Sequence, residues 1–189
     1  MPRSKKSPLT KLDWIKAAFQ TLTRDGEGAL KAEVIARTLK TTKGSFYWHF
    51  KDMPAFRKEM LRLWQSEATA AIIEIVETAG GHGADKLRLL AKIVTTMNAE
   101  NDYGGLPAEP AIRSWALHDK LAARALKQVD AARITYVEKL FSEAGFSAEN
   151  ARHRAEIFYT GFIGLQTLAP LHSIDVPARL IEMLNKLLE

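Results

Sequence analysis

The sequence contains no cysteine. That excludes disulfides, thiolate metal sites and cysteine nucleophiles, and it suits a reducing cytoplasm. No apolar run approaches the roughly 20 residues a membrane helix needs, so no membrane association is expected. The opening Met-Pro-Arg-Ser-Lys-Lys leads into no apolar core, so a secretory signal is not expected either. Strand-like alternation, internal repeats and low-complexity tracts are missing. There is no serine elbow, phosphate loop or His-Glu metal motif, so neither a catalytic set nor a metal or cofactor site is expected. His118-Asp119 is the one tempting acid–base pair, and Asp119 is better used as a helix cap.

What the chain does have is helical periodicity and uneven charge. Its net charge of +5 divides into +8 through Arg62 and −3 from Leu63 onward. A basic head on a slightly acidic body suits a polyanion partner. Met1 to Pro8 reads as a basic arm. Helix one is predicted from about Lys11 to Asp25, capped by Thr10 with Asp13 three residues on, and Leu12, Ile15, Phe19 and Leu22 form its apolar stripe. Helix two is predicted from about Lys31 to Leu39. After the turn Lys40-Thr41, Thr42 caps a third helix.

That third helix is the most unusual stretch in the chain: Lys43-Gly44-Ser45-Phe46-Tyr47-Trp48-His49-Phe50. Phe46 and Phe50 are four apart and share a face, which should point into the head's core. The remaining side chains then face elsewhere. Two short helices and a tight turn, the second helix aromatic and basic, fit a helix-turn-helix. Lys43 and Ser45 are placed for base edges, and Tyr47, His49 and Lys51 for phosphates. Trp48 either packs against helix one or reaches the DNA backbone, and the sequence leaves both open.

The segment Ile35-Ala36-Arg37-Thr38-Leu39 followed by Thr42 to Lys51 resembles the DNA-binding head of the TetR (tetracycline-repressor-like) family of bacterial regulators. The resemblance covers roughly Leu12 to Leu61. It implies a three-helix head, a fourth helix connecting to an all-helical body, dimerisation through the last two helices and an inducing small molecule inside the body. It also implies Lys43, Gly44, Ser45, Tyr47, Trp48 and His49 as DNA-facing residues. With Lys40, Thr42 and Lys51 these make the expected DNA-binding set. The family usually has glycine where this chain has Lys40, and tends to have lysine where this chain has Met53. Lys40 should therefore strain the turn or reshape it, while its charge adds a phosphate contact.

The expected fold is all-α, with a head and arm over residues 1–52 and a connecting helix and body over residues 53–189. Helix four should run from about Met53 to Thr78 with Phe56, Met60, Leu63, Trp64, Ala68, Ala71, Ile72 and Ile75 on one face. Asp52 caps it. Further helices are predicted over Asp85–Ala99, Glu109–Leu117, Asp119–Ala144, Ser147–Ala169 and Val176–Leu188. The helix after Ser147 is apolar on more than one face, and Gly161 and Gly164 would permit close helix approach, so it is the expected homodimer contact. Trp64, Met97, Tyr103, Trp115, His118, Phe158, Phe162 and Gln166 combine apolar bulk with a few polar tips, as small-molecule sites do. The expected function is a dimeric regulator that binds palindromic operator DNA and releases it on binding an effector. A non-specific architectural DNA protein and an enzyme with a DNA-binding head are the alternatives.

Overall fold

The computed structural model describes residues 8–96, 105 and 107–189. Most of the basic arm, Met97 and Tyr103 lie outside them. The described residues form helices and no strand, so the chain is all-α. The head contains α1 (Lys11–Asp25), a 3₁₀ turn (Glu27–Ala29), α2 (Ala32–Thr38) and α3 (Lys43–His49). A rod follows, made of α4 (Met53–Gln65), a π-turn (Ser66–Ala70) and α5 (Ala71–Ala79). The body adds α6 (Gly83–Thr96), α7 (Ala108–Ala116), α8 (Lys120–Glu143), α9 (Ala148–Leu168) and α10 (Val176–Leu188). No helix among the described residues is long and apolar enough to cross a membrane.

Side-chain caps fix most helix starts. Thr10 and Asp13 form a reciprocal capping box on α1. Asp52 accepts from the Ala55 N–H at 2.8 Å, and Asp119 accepts from Leu121 and Ala122 at 2.8 and 2.9 Å. Each such cap contributes about 1 kcal/mol. On α1 the buried face is centred on Trp14, Ala18 and Leu22, and Leu12, expected in the stripe, lies at its rim and is exposed. Trp14 takes its place because its large ring fills the space beside α3.

The rod departs from the expected single regular helix. Its buried face is Phe56, Met60, Trp64, Ala68, Ile72 and Val76, each four residues from the last. On a regular helix every such step turns the side chain a further ~40°, so five steps would carry it about half way round. The wider i→i+5 turn at Ser66–Ala70 takes up that drift. Ile75, expected on this face, is consequently 53% exposed.

Two apolar clusters meet at the π-turn. One unites the head with α4, α7 and the first half of α8, including Phe46, Trp64, Trp115 and Val129. The other unites α5, α6, the second half of α8, α9 and α10, including Val76, Leu140, Phe158 and Leu184. The head therefore packs on the body through a shared core: Trp115 is 1% exposed, and the Arg57 guanidinium lies over its ring at 5.6 Å.

The turn between α2 and α3 explains the oddity at Lys40. Lys40 N–H donates to the Arg37 carbonyl at 3.1 Å and Thr41 N–H to the Ala36 carbonyl at 2.9 Å, the two bonds of a Schellman cap. That cap needs a left-handed residue at its centre, and Lys40 supplies it with φ 54°. A side chain there costs roughly 1–2 kcal/mol, partly offset by glycine's greater freedom in the unfolded chain. Lys40→Gly should therefore raise stability by about 0.5–1 kcal/mol, or about 2 °C in a thermal melt. A lower melting temperature would refute the strain.

Candidate nucleic-acid interface and body cavity

The recognition helix is held by its aromatic underside. Phe46 is fully buried, with its ring 5.4 Å from Trp14, 5.3 Å from Phe50 and 5.2 Å from Phe56. Two of those contacts, to Trp14 and Phe56, and the Phe50–Phe56 contact tie α3 to α1 and α4, so a seven-residue helix that could not persist alone is kept in place. Thr42 accepts from the Ser45 N–H at 3.3 Å and sets its start.

The other faces of α3 are open. Trp48 is 89% exposed, which settles its direction: it points away from helix one. Tyr47 is half exposed, with its ring edge-on to Phe46 at 5.2 Å. Lys40, Thr42, Lys43, Gly44 and Lys51 are exposed, and Ser45 is partly so. His49 is half-buried and leans on Trp14, ring centroids 6.3 Å apart. Sequence reading missed one neighbour. The Glu33 carboxylate on α2 pairs with the Lys43 ammonium across the turn. That hydrogen bond holds Glu33 below and Lys43 above their ordinary pKa values. Both side chains are about half exposed, so the pair is an ordinary solvated one that a phosphate could displace.

A cavity of about 80 Å³ lies where the two apolar clusters meet. Of the residues expected in a ligand site, Trp64, Phe158, Phe162 and Gln166 line it. Trp115 and His118 do not. Trp115 turns toward the head core beneath Arg57, and His118 sits exposed in the short turn before α8. Trp115 occupies the buried face of α7 that meets α1, so no side of it is left for a ligand.

The cavity's polar wall was not anticipated. Arg133 Nε donates to Thr69 Oγ1 at 3.1 Å, Nη1 to Glu109 Oε2 at 3.0 Å, and Nη2 to the Ala68 carbonyl at 3.0 Å. It thereby grips the π-turn. Arg113 Nη2 lies 2.8 Å from Glu109 Oε1 and 2.6 Å from Asp130 Oδ1. The Tyr159 hydroxyl donates to Asp130 Oδ1 at 2.6 Å, and its burial and the neighbouring carboxylates push its pKa up. Two carboxylates and two guanidiniums, all mostly buried, thus balance one another beside the cavity.

Fold and site together define a helix-turn-helix protein: an aromatic–basic recognition helix on a helical body with an internal cavity. Residues 15–60 match the family described as "Bacterial regulatory proteins, tetR family". The match falls on the head, so it is the helix-turn-helix of this chain that is similar to the head of that family. No curated protein matches its sequence. The whole fold is shared with solved regulators. A TetR transcriptional regulator from Legionella pneumophila matches with TM-score 0.76 and 14% identity, over 97% of each chain. A transcriptional regulator from Rhodococcus sp. Rha1 gives 0.77 and 17%, over 95% of this chain and 94% of that one. The fatty acid degradation regulator FadR from Bacillus halodurans gives 0.72 and 17%, over 98% and 97%. At such identities the likeness is one of fold.

Proposed function

We propose that this chain is a homodimeric repressor that reads a palindromic operator and lets it go when a small molecule fills the body cavity. The observation that carries this reading is the position of the cavity. It lies between the core that continues into the head and the core that holds α9 and α10, with the π-turn in its wall. A ligand that favours one packing of α8 against the π-turn would turn the rod and with it the head. In a dimer the two recognition helices must sit about 34–36 Å apart, or a multiple, to enter successive major grooves, so a small rotation suffices to lose DNA.

The dimer surface in this proposal is the outer face of α9. Ile157 and Leu168 are about half exposed there, and nothing lies within 4 Å of a side chain built at Gly164. Gly161 has a different use from the one expected. A Cβ there would meet Met183 Sδ at 2.5 Å, so Gly161 admits α10 of the same chain. Lys43, Ser45, Tyr47 and Trp48 are the proposed readers of DNA, with Lys40, Thr42, Gly44, His49 and Lys51 along the backbone. The proposed units are the head of residues 1–52 and the rod and body of residues 53–189.

Selection from a pool of random duplexes tests the reading. One palindrome should emerge and bind at least ~10³-fold more tightly than unselected duplex at physiological salt. Lys43→Ala and Tyr47→Ala should abolish that preference while dimer mass and helix content stay unchanged. Equal affinity for selected and unselected DNA would instead make the chain an architectural DNA protein.

A further inference from the structure

We infer that the cavity accepts a small uncharged molecule with an apolar body and one hydrogen-bond donor directed at Gln166 Oε1. This rests on reading the cavity as an effector site. An arginine in a cavity wall suggests at first a carboxylate or phosphate ligand, but Arg133 has few donors to offer. Its Nε serves Thr69, Nη1 serves Glu109 and the Tyr159 oxygen (3.4 Å), and Nη2 serves the Ala68 carbonyl. One face of the guanidinium is covered by Trp64, with 5.6 Å from its carbon to the ring centroid.

A cationic ligand fares no better. Glu109 has each carboxylate oxygen within 3.0 Å of an arginine nitrogen. The tyrosine hydroxyls are committed as donors, Tyr159 to Asp130 at 2.6 Å and Tyr136 to Glu77 at 2.9 Å. The charges of Glu109, Asp130, Arg113 and Arg133 cancel, so an ionised ligand would bring an unbalanced charge into a poorly solvated space. Two acceptors on this wall are buried without a hydrogen-bond partner among the described residues: Glu109 Oε1, which has a counter-charge in Arg113 Nη2 at 2.8 Å, and the neutral amide oxygen Gln166 Oε1. A buried acceptor without a donor discriminates strongly in favour of a ligand that supplies one. Around it the surface is apolar, formed by side chains such as Ile72, Leu90, Val94, Val137 and Phe162.

Calorimetry on the full chain, without DNA, with phenol, toluene, benzoate and benzylammonium as probes of similar size tests this. Phenol should bind at least ten-fold more tightly than toluene, and both ions more weakly than toluene. Gln166→Leu should bring phenol down to the affinity of toluene and leave toluene unweakened. The ranking of the four probes on the unaltered protein stands as an independent measurement if that variant folds poorly. An ion as the tightest probe, equal binding of phenol and toluene, a phenol preference that survives Gln166→Leu, or no binding by any probe would overturn the inference. Because no DNA is present, failure of the effector reading shows separately, as phenol binding that leaves operator affinity unchanged.

Discussion

Gly83→Ala should cost about 3 kcal/mol of stability and lower the melting temperature by roughly 6–12 °C, among the largest effects of any single methyl group in this chain. Gly83 begins α6 directly against the end of α8. A Cβ there would lie 2.1 Å from the Leu140 carbonyl oxygen, 2.5 Å from the Ala144 nitrogen and 2.8 Å from the Glu143 carbonyl carbon. All three are backbone atoms in or next to a helical turn, so no side chain can swing aside. Either α6 lifts off α8 or the last turn of α8 unwinds. The first separates Leu87 and Ala91 from Leu140 and Phe141, all buried in the body core. Gly28→Ala is the control: nothing lies within 4 Å of a Cβ there. Thermal melts followed by circular dichroism should show Gly28→Ala near the parent and Gly83→Ala far below it. A Gly83→Ala melt within 1 °C of the parent would show that the close approach is not maintained in solution.

This close approach could not be read from the sequence, where Gly83 is one of three glycines in Gly80-Gly81-His82-Gly83 and looks like loop. The helices themselves were legible, because most combine an apolar period with a side-chain cap: Thr10, Thr42, Asp52 and Asp119 cap as expected, and Ser147 and Asp175 cap α9 and α10 in the same way. The buried pair Phe46 and Phe50 followed from spacing alone, and Lys40 was marked by its departure from a glycine turn. What spacing could not show was a change of period. The π-turn lets residues four apart remain on one face through Val76, so a regular helix drawn through the rod misplaces Ile75.

The polar wall of the cavity had a signal that periodicity arguments passed over. Arg133 lies four residues from Val129 and Val137 and three from Tyr136, in register with the buried stripe of α8. Glu109 similarly shares a face with Ile112 on α7. A charged residue in register with an apolar stripe must find its counter-charge on a neighbouring helix, and two such residues on adjacent helices are a natural pair. Trp115 and His118 attracted attention by residue type instead. Type alone does not say which side of α7 a ring occupies, and the side occupied by Trp115 belongs to the head–body contact.

That pairing sets the second large effect. Glu109→Ala should cost roughly 3–5 kcal/mol, because it leaves one uncompensated positive charge in a mostly buried group. Glu109 is 7% exposed, and Arg133 and Arg113 are 16% and 23% exposed. With Glu109 present the two arginines are balanced by Glu109 and Asp130. Without it Asp130 alone faces both. The double variant Glu109→Met with Arg133→Met restores the balance, since Arg113 keeps Asp130 at 2.6 Å. It should recover most of the loss, less about 1 kcal/mol for the hydrogen bond that Arg133 gives the Ala68 carbonyl. Urea denaturation of the parent, Glu109→Met, Arg133→Met and the double variant closes the cycle. Strong non-additivity identifies the pair as the stabilising unit. Simple addition of the two single losses would mean that Glu109 and Arg133 act through other neighbours, and the charge-balanced wall would not then govern what the cavity admits.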